Sequence, residues 1–395
     1  MKQLPVIDDL RVEALLKAAS EATGLDDYGD TGFVEGLEIF LDDLRHEARL
    51  SPLGVAMQYQ DIVRLLSNRL GFQRDLKRHP EILDEPIEKP IAILGLPRTG
   101  STKLHRMICA DPGVQRLDTW RLNFPAPLPH SEGLTPDPRI ALAEQIEAAL
   151  SAQFPELMAR HPFEAHEVDE EMWLLEMSFA SVMTSIKTRA PKHRAWVESR
   201  SGLDAYAYMK SLLQYLQWQD GGARGRPWIL KSPIHIGQLP TLLATFPDAT
   251  LVHTHRDPRD VIPSFASLME AAWNTHSDQV DAVEMGRDFA DFWARQTEAN
   301  LQARRELGED RVLDVYYDDI HAQPFSAIEA IYARAARPLT ADARRAIADY
   351  AERRPRHHFG AYRYAMADYG LSRAGIEALF AGYLERFPRL SAGRA

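Results

Sequence analysis

Arg98, Thr99, Gly100, Ser101 and Thr102 stand together where an apolar run, Ile91 to Leu96, gives way to a helical pattern. A glycine lets backbone approach a ligand closely, and the amides that open a helix have no intrahelical acceptor. With the helix dipole, such a junction favours an anion. Ser101 and Thr102 add hydroxyl donors and Arg98 adds a forked cation. Gly95 to Lys103 nearly spells the phosphate loop G-x-x-x-x-G-K-[ST], but Ser101 stands where that motif requires lysine. A backbone cradle is kept, and the lysine of nucleoside triphosphatases is missing.

Two more cations close short apolar runs. Lys231 ends Pro227-Trp228-Ile229-Leu230, and Arg256 follows Thr250-Leu251-Val252-His253-Thr254-His255, with Ser264 eight positions on. Asp257-Pro258 after Arg256 reads as a helix start, aspartate as N-cap and proline at the first helical position. His166-Glu167-Val168-Asp169-Glu170 begins like the zinc motif H-E-x-x-H but lacks the second histidine, so no metal is expected.

These residues need elements to position them. Residues 10–88 read as amphipathic helices, with Leu10, Val12, Leu15 and Leu16, then Ile62, Leu65, Leu66 and Leu70, at helical spacing. Strands are predicted from Ile91, before Lys231, from Thr250 to His255 and from Val312 to Tyr317. Helical patterns fill 140–219, a helix is expected from Ser232 to Phe246, and helices complete the chain. Residues 124–138 carry five prolines and one glycine, which predicts a loop of the kind that serves as a lid or binding loop. Strands alternating with helices imply an α/β fold, a P-loop-like parallel sheet flanked by helices. Ligands of such sheets bind beyond the carboxyl ends of the strands, so the Arg98 loop, Lys231 and Arg256 should converge on a ligand with several anionic groups. The expected organisation is a helical extension over 1–88, an α/β core over 89–337 and a C-terminal helical segment over 338–395, packed as one unit.

Composition narrows the classes. The 395 residues are 45% hydrophobic and 26% charged, as in globular proteins, and the net charge of −11 argues against a protein that coats nucleic acid. Cys109 is the only cysteine, so no internal disulfide forms, and its setting beside Met107 and Ile108 marks it as core. No signal-like or membrane-spanning apolar run is present in the sequence, and a cytoplasmic location is expected.

The chain resembles the sulfotransferase family in three motifs that occur in the family's order over about 170 residues: Pro97 to Thr102, Leu230-Lys231-Ser232-Pro233, and Arg256 with Ser264. Its tail, Tyr362 to Ser372, is similar to that of the broad bacterial branch. The resemblance implies 3′-phosphoadenosine 5′-phosphosulfate as sulfuryl donor, its bisphosphate (PAP) as product, and no metal. It places Arg98, Thr99, Gly100, Ser101 and Thr102 on the 5′-phosphosulfate, Arg256 and Ser264 on the 3′-phosphate, and Lys231 with Arg98 on the charge developing at the departing phosphate. Cytosolic members carry a histidine two residues after the strand lysine, where this chain has Pro233. Other branches use a carboxylate about twenty residues past the loop arginine, the position of Asp118. Asp118 is therefore the favoured general base, with His235, Glu170 and His166 as further candidates. A reaction with no single essential base is the remaining case. Arg353 to His358 is the one dense basic run, either a solvated helix end or a cover over the donor.

A P-loop kinase would need lysine at 101 and a magnesium-binding aspartate ending a strand, for which Asp314 and Asp318 are poor candidates. A non-catalytic PAP-binding protein would have no use for Lys231. The expected acceptor is a small-molecule, lipid or carbohydrate hydroxyl, shaped by the Pro-rich loop, the N-terminal helices and the Trp173 segment. A homo-oligomer is neither required nor excluded by the sequence.

Overall fold

The computed structural model describes residues 4–131, 133–354 and 364–391. Four strands, β1 (Ile91–Gly95), β2 (Ile229–Lys231), β3 (Thr250–His255) and β4 (Val312–Tyr316), form one sheet in the order β2-β1-β3-β4. All neighbours are parallel, and the register sets Ile93 beside Lys231 and beside Val252. Every residue of β1 is buried, as a parallel strand covered on both faces requires. Side chains alternate across the sheet. Ile91 and Ile93 enter a core with Ile229, Val252, Ile108 and Ile331, while Ala92 and Leu94 enter a second, larger core on the other face.

That larger core draws Leu15, Leu37 and Leu66 from the N-terminal helices Val12–Thr23, Phe33–His46 and Pro52–Arg78. It also takes Ile376, Phe380 and Leu384 from the C-terminal end. The N-terminal helices are thus packed into the same apolar interior as the sheet. Among the described residues, no helix is long and apolar enough to cross a membrane.

The stretch after β2 departs from the single helix expected up to Phe246. It is a 3-10 turn, Pro233–Gly237, followed by a helix, Leu239–Thr245. Pro233 and Pro240 each sit in the first turn of a new element, where a missing amide costs little. Pro263, by contrast, lies inside the Pro258–Trp273 helix, which continues through it.

The Pro-rich segment carries no helix or strand from Phe124 to Asp137 among its described residues, as expected. It is not a lid over the strand ends. Arg64 Nη1 and Asn68 Nδ2 of the Pro52–Arg78 helix donate to the Asn123 carbonyl, and a Cβ on Gly71 would stand 2.7 Å from that of Ala126. The loop is fastened to the N-terminal helices.

Candidate active site

The turn after β1 carries the anion-binding geometry. Gly100 has φ +84° and caps the helix Ser101–Ile108. A Cβ there would meet the Tyr317 ring at 3.1 Å, so both conformation and space favour glycine. Ser101 and Thr102 open the helix and line a cavity of about 450 Å³. Thr99 is different. Its hydroxyl donates to the Leu96 carbonyl at 2.7 Å and lies 2.7 Å from Thr254 Oγ1, fully buried. The Thr99 side chain thus ties the loop to β3.

Arg98, Arg256 and Ser264 meet. Arg98 Nε donates to Ser264 Oγ at 3.3 Å and its Nη1 to the Arg160 carbonyl at 3.1 Å. Arg256 Nη1 donates to the Arg98 carbonyl at 3.0 Å, and its guanidinium lies 4.2 Å from the Tyr317 ring centroid. Both oxygens of Asp257 accept from the Arg259 guanidinium. The Arg256 Nε is buried with no acceptor among the described residues, an orphaned donor beside the glycine cradle. A buried cationic donor without a partner is costly, which suits a site built for an anion. Tyr317 escaped the sequence reading, although its place just past β4 puts it on the same sheet edge as the three cations.

Three consecutive acids have three tasks. Asp169 Oδ1 accepts the Glu170 amide at 2.8 Å. Glu171 is fully buried and accepts the Lys231 amide at 2.7 Å and His235 Nε2 at 2.5 Å, fastening β2. Glu170 takes the Lys231 ammonium itself, which also donates to Thr102 Oγ1 at 3.2 Å. Burial pushes the Glu170 carboxyl up, to about 7; the Lys231 charge opposes this and the Asp169 charge adds to it. Both Asp169 and Glu170 line the cavity.

The other base candidates are elsewhere. Asp118 accepts from Arg116 Nε at 2.8 Å and lies outside the cavity wall; burial raises its pKa while Arg116 lowers it. His235 is enclosed between Glu171 and the Tyr206 hydroxyl, 2.7 Å from its Nδ1. His166 is exposed and bonds Glu144 Oε1 at 2.7 Å. Of the four, the structure brings Glu170 alone to Lys231.

Asp314, the aspartate a kinase would need, accepts from Arg304 on both oxygens and from His255 Nε2. His253 completes a cluster with His255 and Asp314, but the Arg304 guanidinium already sits on the shared carboxylate. In the basic run, Arg354 bonds Glu164, whereas Pro355, Arg356, His357 and His358 lie outside the described residues, as do Tyr362 and Arg363 of the tail. Among the described residues, neither the Pro-rich loop nor any N-terminal helix lines the cavity; Trp173 does.

A model of the sulfotransferase family matches residues 90–341, a span that contains the glycine turn, Glu170, Lys231, Arg256 and Ser264. The chain belongs to the sulfotransferase family. Its fold is that of the solved sulfotransferases STF1 of Mycobacterium tuberculosis H37Rv (TM-score 0.82, 31% identity, 94% of this chain and 98% of that one) and STF9 of Mycobacterium avium (TM-score 0.86, 27% identity, 96% and 97%). A curated relative, the omega-hydroxy-beta-dihydromenaquinone-9 sulfotransferase Stf3 of Mycobacterium bovis, is 25% identical over 256 residues. That match covers 62% of this sulfotransferase-family chain and 62% of the relative's length.

Proposed function

We propose that this chain transfers a sulfuryl group from 3′-phosphoadenosine 5′-phosphosulfate to a hydroxyl of a small-molecule acceptor, with Glu170 as general base. The observation that carries the proposal is the contact between Lys231 and Glu170, which lines the same cavity as the glycine turn. The donor set suits the ligand: a glycine cradle with Ser101 and Thr102 for one anionic end, Arg256 and Ser264 for another, joined through Arg98.

When bound, the donor supplies an activated sulfuryl group whose bridging S–O bond breaks as the acceptor oxygen attacks sulfur. The chain's residues supply the rest. Glu170, ionised, accepts the acceptor's proton as the new S–O bond forms. Lys231 and Arg98 stabilise the negative charge left on the departing phosphate. The helix opening at Ser101 holds the anion in place, so catalysis is chiefly positioning and charge compensation. A hydroxyl acceptor is also what the name of the Stf3 relative describes for that protein.

Thermal melting with ligands tests the reading. Saturating 3′,5′-bisphosphoadenosine without magnesium should stabilise the protein by about 2.7 kcal/mol at 100 times its Kd. Stabilisation by ATP with magnesium and none by the bisphosphate would overturn it. Transfer of label from ³⁵S-donor to a panel of alcohols then establishes turnover.

A further inference from the structure

The cavity is not uniform, and one helix measures it. Pro258–Trp273 begins two residues past Arg256, places Ser264 against Arg98, and presents Phe265, Leu268, Met269 and Ala272 to the cavity. That spacing, i, i+3, i+4 and i+7, is one continuous stripe on the helix. From Phe265 to Ala272 it covers about 10 Å of axis at 1.5 Å per residue. Beyond the helix end the wall becomes polar again, at Lys187 and His276.

Lys187 is already matched. Its ammonium donates to Asp61 at 2.7 Å and lies 2.5 Å from Glu176, both carboxylates largely enclosed. His276 is not matched: its Nδ1 is buried with no partner among the described residues. Burial, with the Lys187 charge nearby, pushes this imidazole down to about 4, so it is neutral and offers one donor and one acceptor.

The position of His276 is set by the backbone. Its amide donates to the Trp273 carbonyl at 2.9 Å, and its own carbonyl accepts from the Ser51 amide at 2.9 Å. A Cβ on Gly54 would fall 1.9 Å from that carbonyl oxygen, so glycine at 54 permits the approach. The N-terminal helices therefore shape the cavity without lining it: Ser51 and Gly54 fix His276, and Asp61 fixes Lys187.

We infer that the acceptor is an elongated, apolar alcohol whose end remote from the reacting hydroxyl carries a hydrogen-bond-accepting oxygen, such as a ketone, that meets His276. A sugar would leave several hydroxyls without partners along the Phe265–Ala272 stripe, at a cost for each. An alkyl or polycyclic body fits that stripe, and a distal oxygen satisfies the imidazole. The proposed sulfuryl transfer enters only in naming which hydroxyl reacts.

Calorimetric binding to the protein saturated with 3′,5′-bisphosphoadenosine tests this without requiring turnover. The probes are 12-hydroxydodecan-2-one, 1-dodecanol and glucose. Both long-chain alcohols should bind and glucose should not, and the hydroxyketone should bind about 5- to 10-fold tighter than dodecanol. In His276→Phe that ratio should fall to near one, and in His276→Gln, which keeps an amide donor, it should largely persist. Stabilisation of each variant by the bisphosphate reports that it is folded. Binding of glucose equal to that of the alcohols, failure of both alcohols to bind, or an unchanged ratio in His276→Phe each overturns the inference. Loss of bisphosphate binding in the unaltered protein would instead overturn the sulfuryl-transfer reading.

Discussion

Glu170, at the wall of the cavity, and Lys231, sixty-one residues further along the chain, are each other's counterion. Both are buried, Lys231 almost completely. Each would be costly to hold there alone, and together they place a carboxylate and a cation beside Thr102 and the glycine turn.

Replacing Glu170 with Gln should lower kcat by about 10²- to 10⁴-fold, the usual contribution of a positioned base, and leave bisphosphate-induced stabilisation nearly intact. Asp118→Asn and His166→Ala should stay close to the parent kcat, because Arg116 and Glu144 hold those side chains elsewhere. A loss in Asp118→Asn as large as in Glu170→Gln would return the base assignment to Asp118.

The pH profile should have an acidic limb set by Glu170. The ionised carboxylate is the active form, and burial raises its pKa to about 7, so kcat/KM should rise with pH through that region. The Lys231 charge lowers the Glu170 pKa; the residual activity of Lys231→Met should therefore have its limb at higher pH. Initial rates between about pH 5 and pH 9 measure both limbs. A limb unmoved by the substitution would detach it from Glu170.

Lys231→Met should also destabilise the fold, by about 3–5 kcal/mol where Glu170 is ionised, because a buried carboxylate is left without its cation. The sign with pH follows from linkage. A carboxyl whose folded pKa is raised contributes most at low pH and loses that contribution as pH rises through its folded value, so the penalty should grow towards alkaline pH. Adding Glu170→Gln should recover most of it. Urea melts of the two single variants and the double variant give the cycle; strict additivity would show that the pair is not coupled.

Arg256→Lys should weaken 3′,5′-bisphosphoadenosine binding by about 10-fold or more, since lysine lacks both the planar stack on Tyr317 and the second donor that reaches the ligand while the first holds the Arg98 carbonyl. At saturating donor, kcat should change little. A thermal-shift titration provides the affinity, and an unaltered Kd would remove Arg256 from the donor site.

Much of the frame was legible in the sequence. The central strand β1 is a short apolar run because a parallel strand covered on both faces is buried, and that leaves a local mark in the chain. Gly100 marks the anion turn because its positive φ is a local demand of the backbone. The convergence of Arg98, Lys231 and Arg256 follows from strand direction alone, since all three stand at carboxyl ends.

What each polar side chain faces was decided only by the tertiary structure. Asp118, Glu170, His166 and His235 are chemically eligible alike, and nothing within a few residues of any of them says which meets Lys231. Thr99 stands in the loop beside Gly100, and nothing near it in sequence marks Thr254, 155 residues away, as a partner of its hydroxyl. The Pro-rich loop reads as a lid or a binding loop, yet Asn68 and Gly71 of a distant helix hold it away from the cavity. The sequence by itself determined the sheet, its edge and the anion turn, because these depend on backbone conformation and burial of contiguous residues. Which of the four candidates meets Lys231, and the shape of the cavity, were settled by packing between segments tens to hundreds of residues apart, where side-chain direction, and not side-chain type, selects the partner.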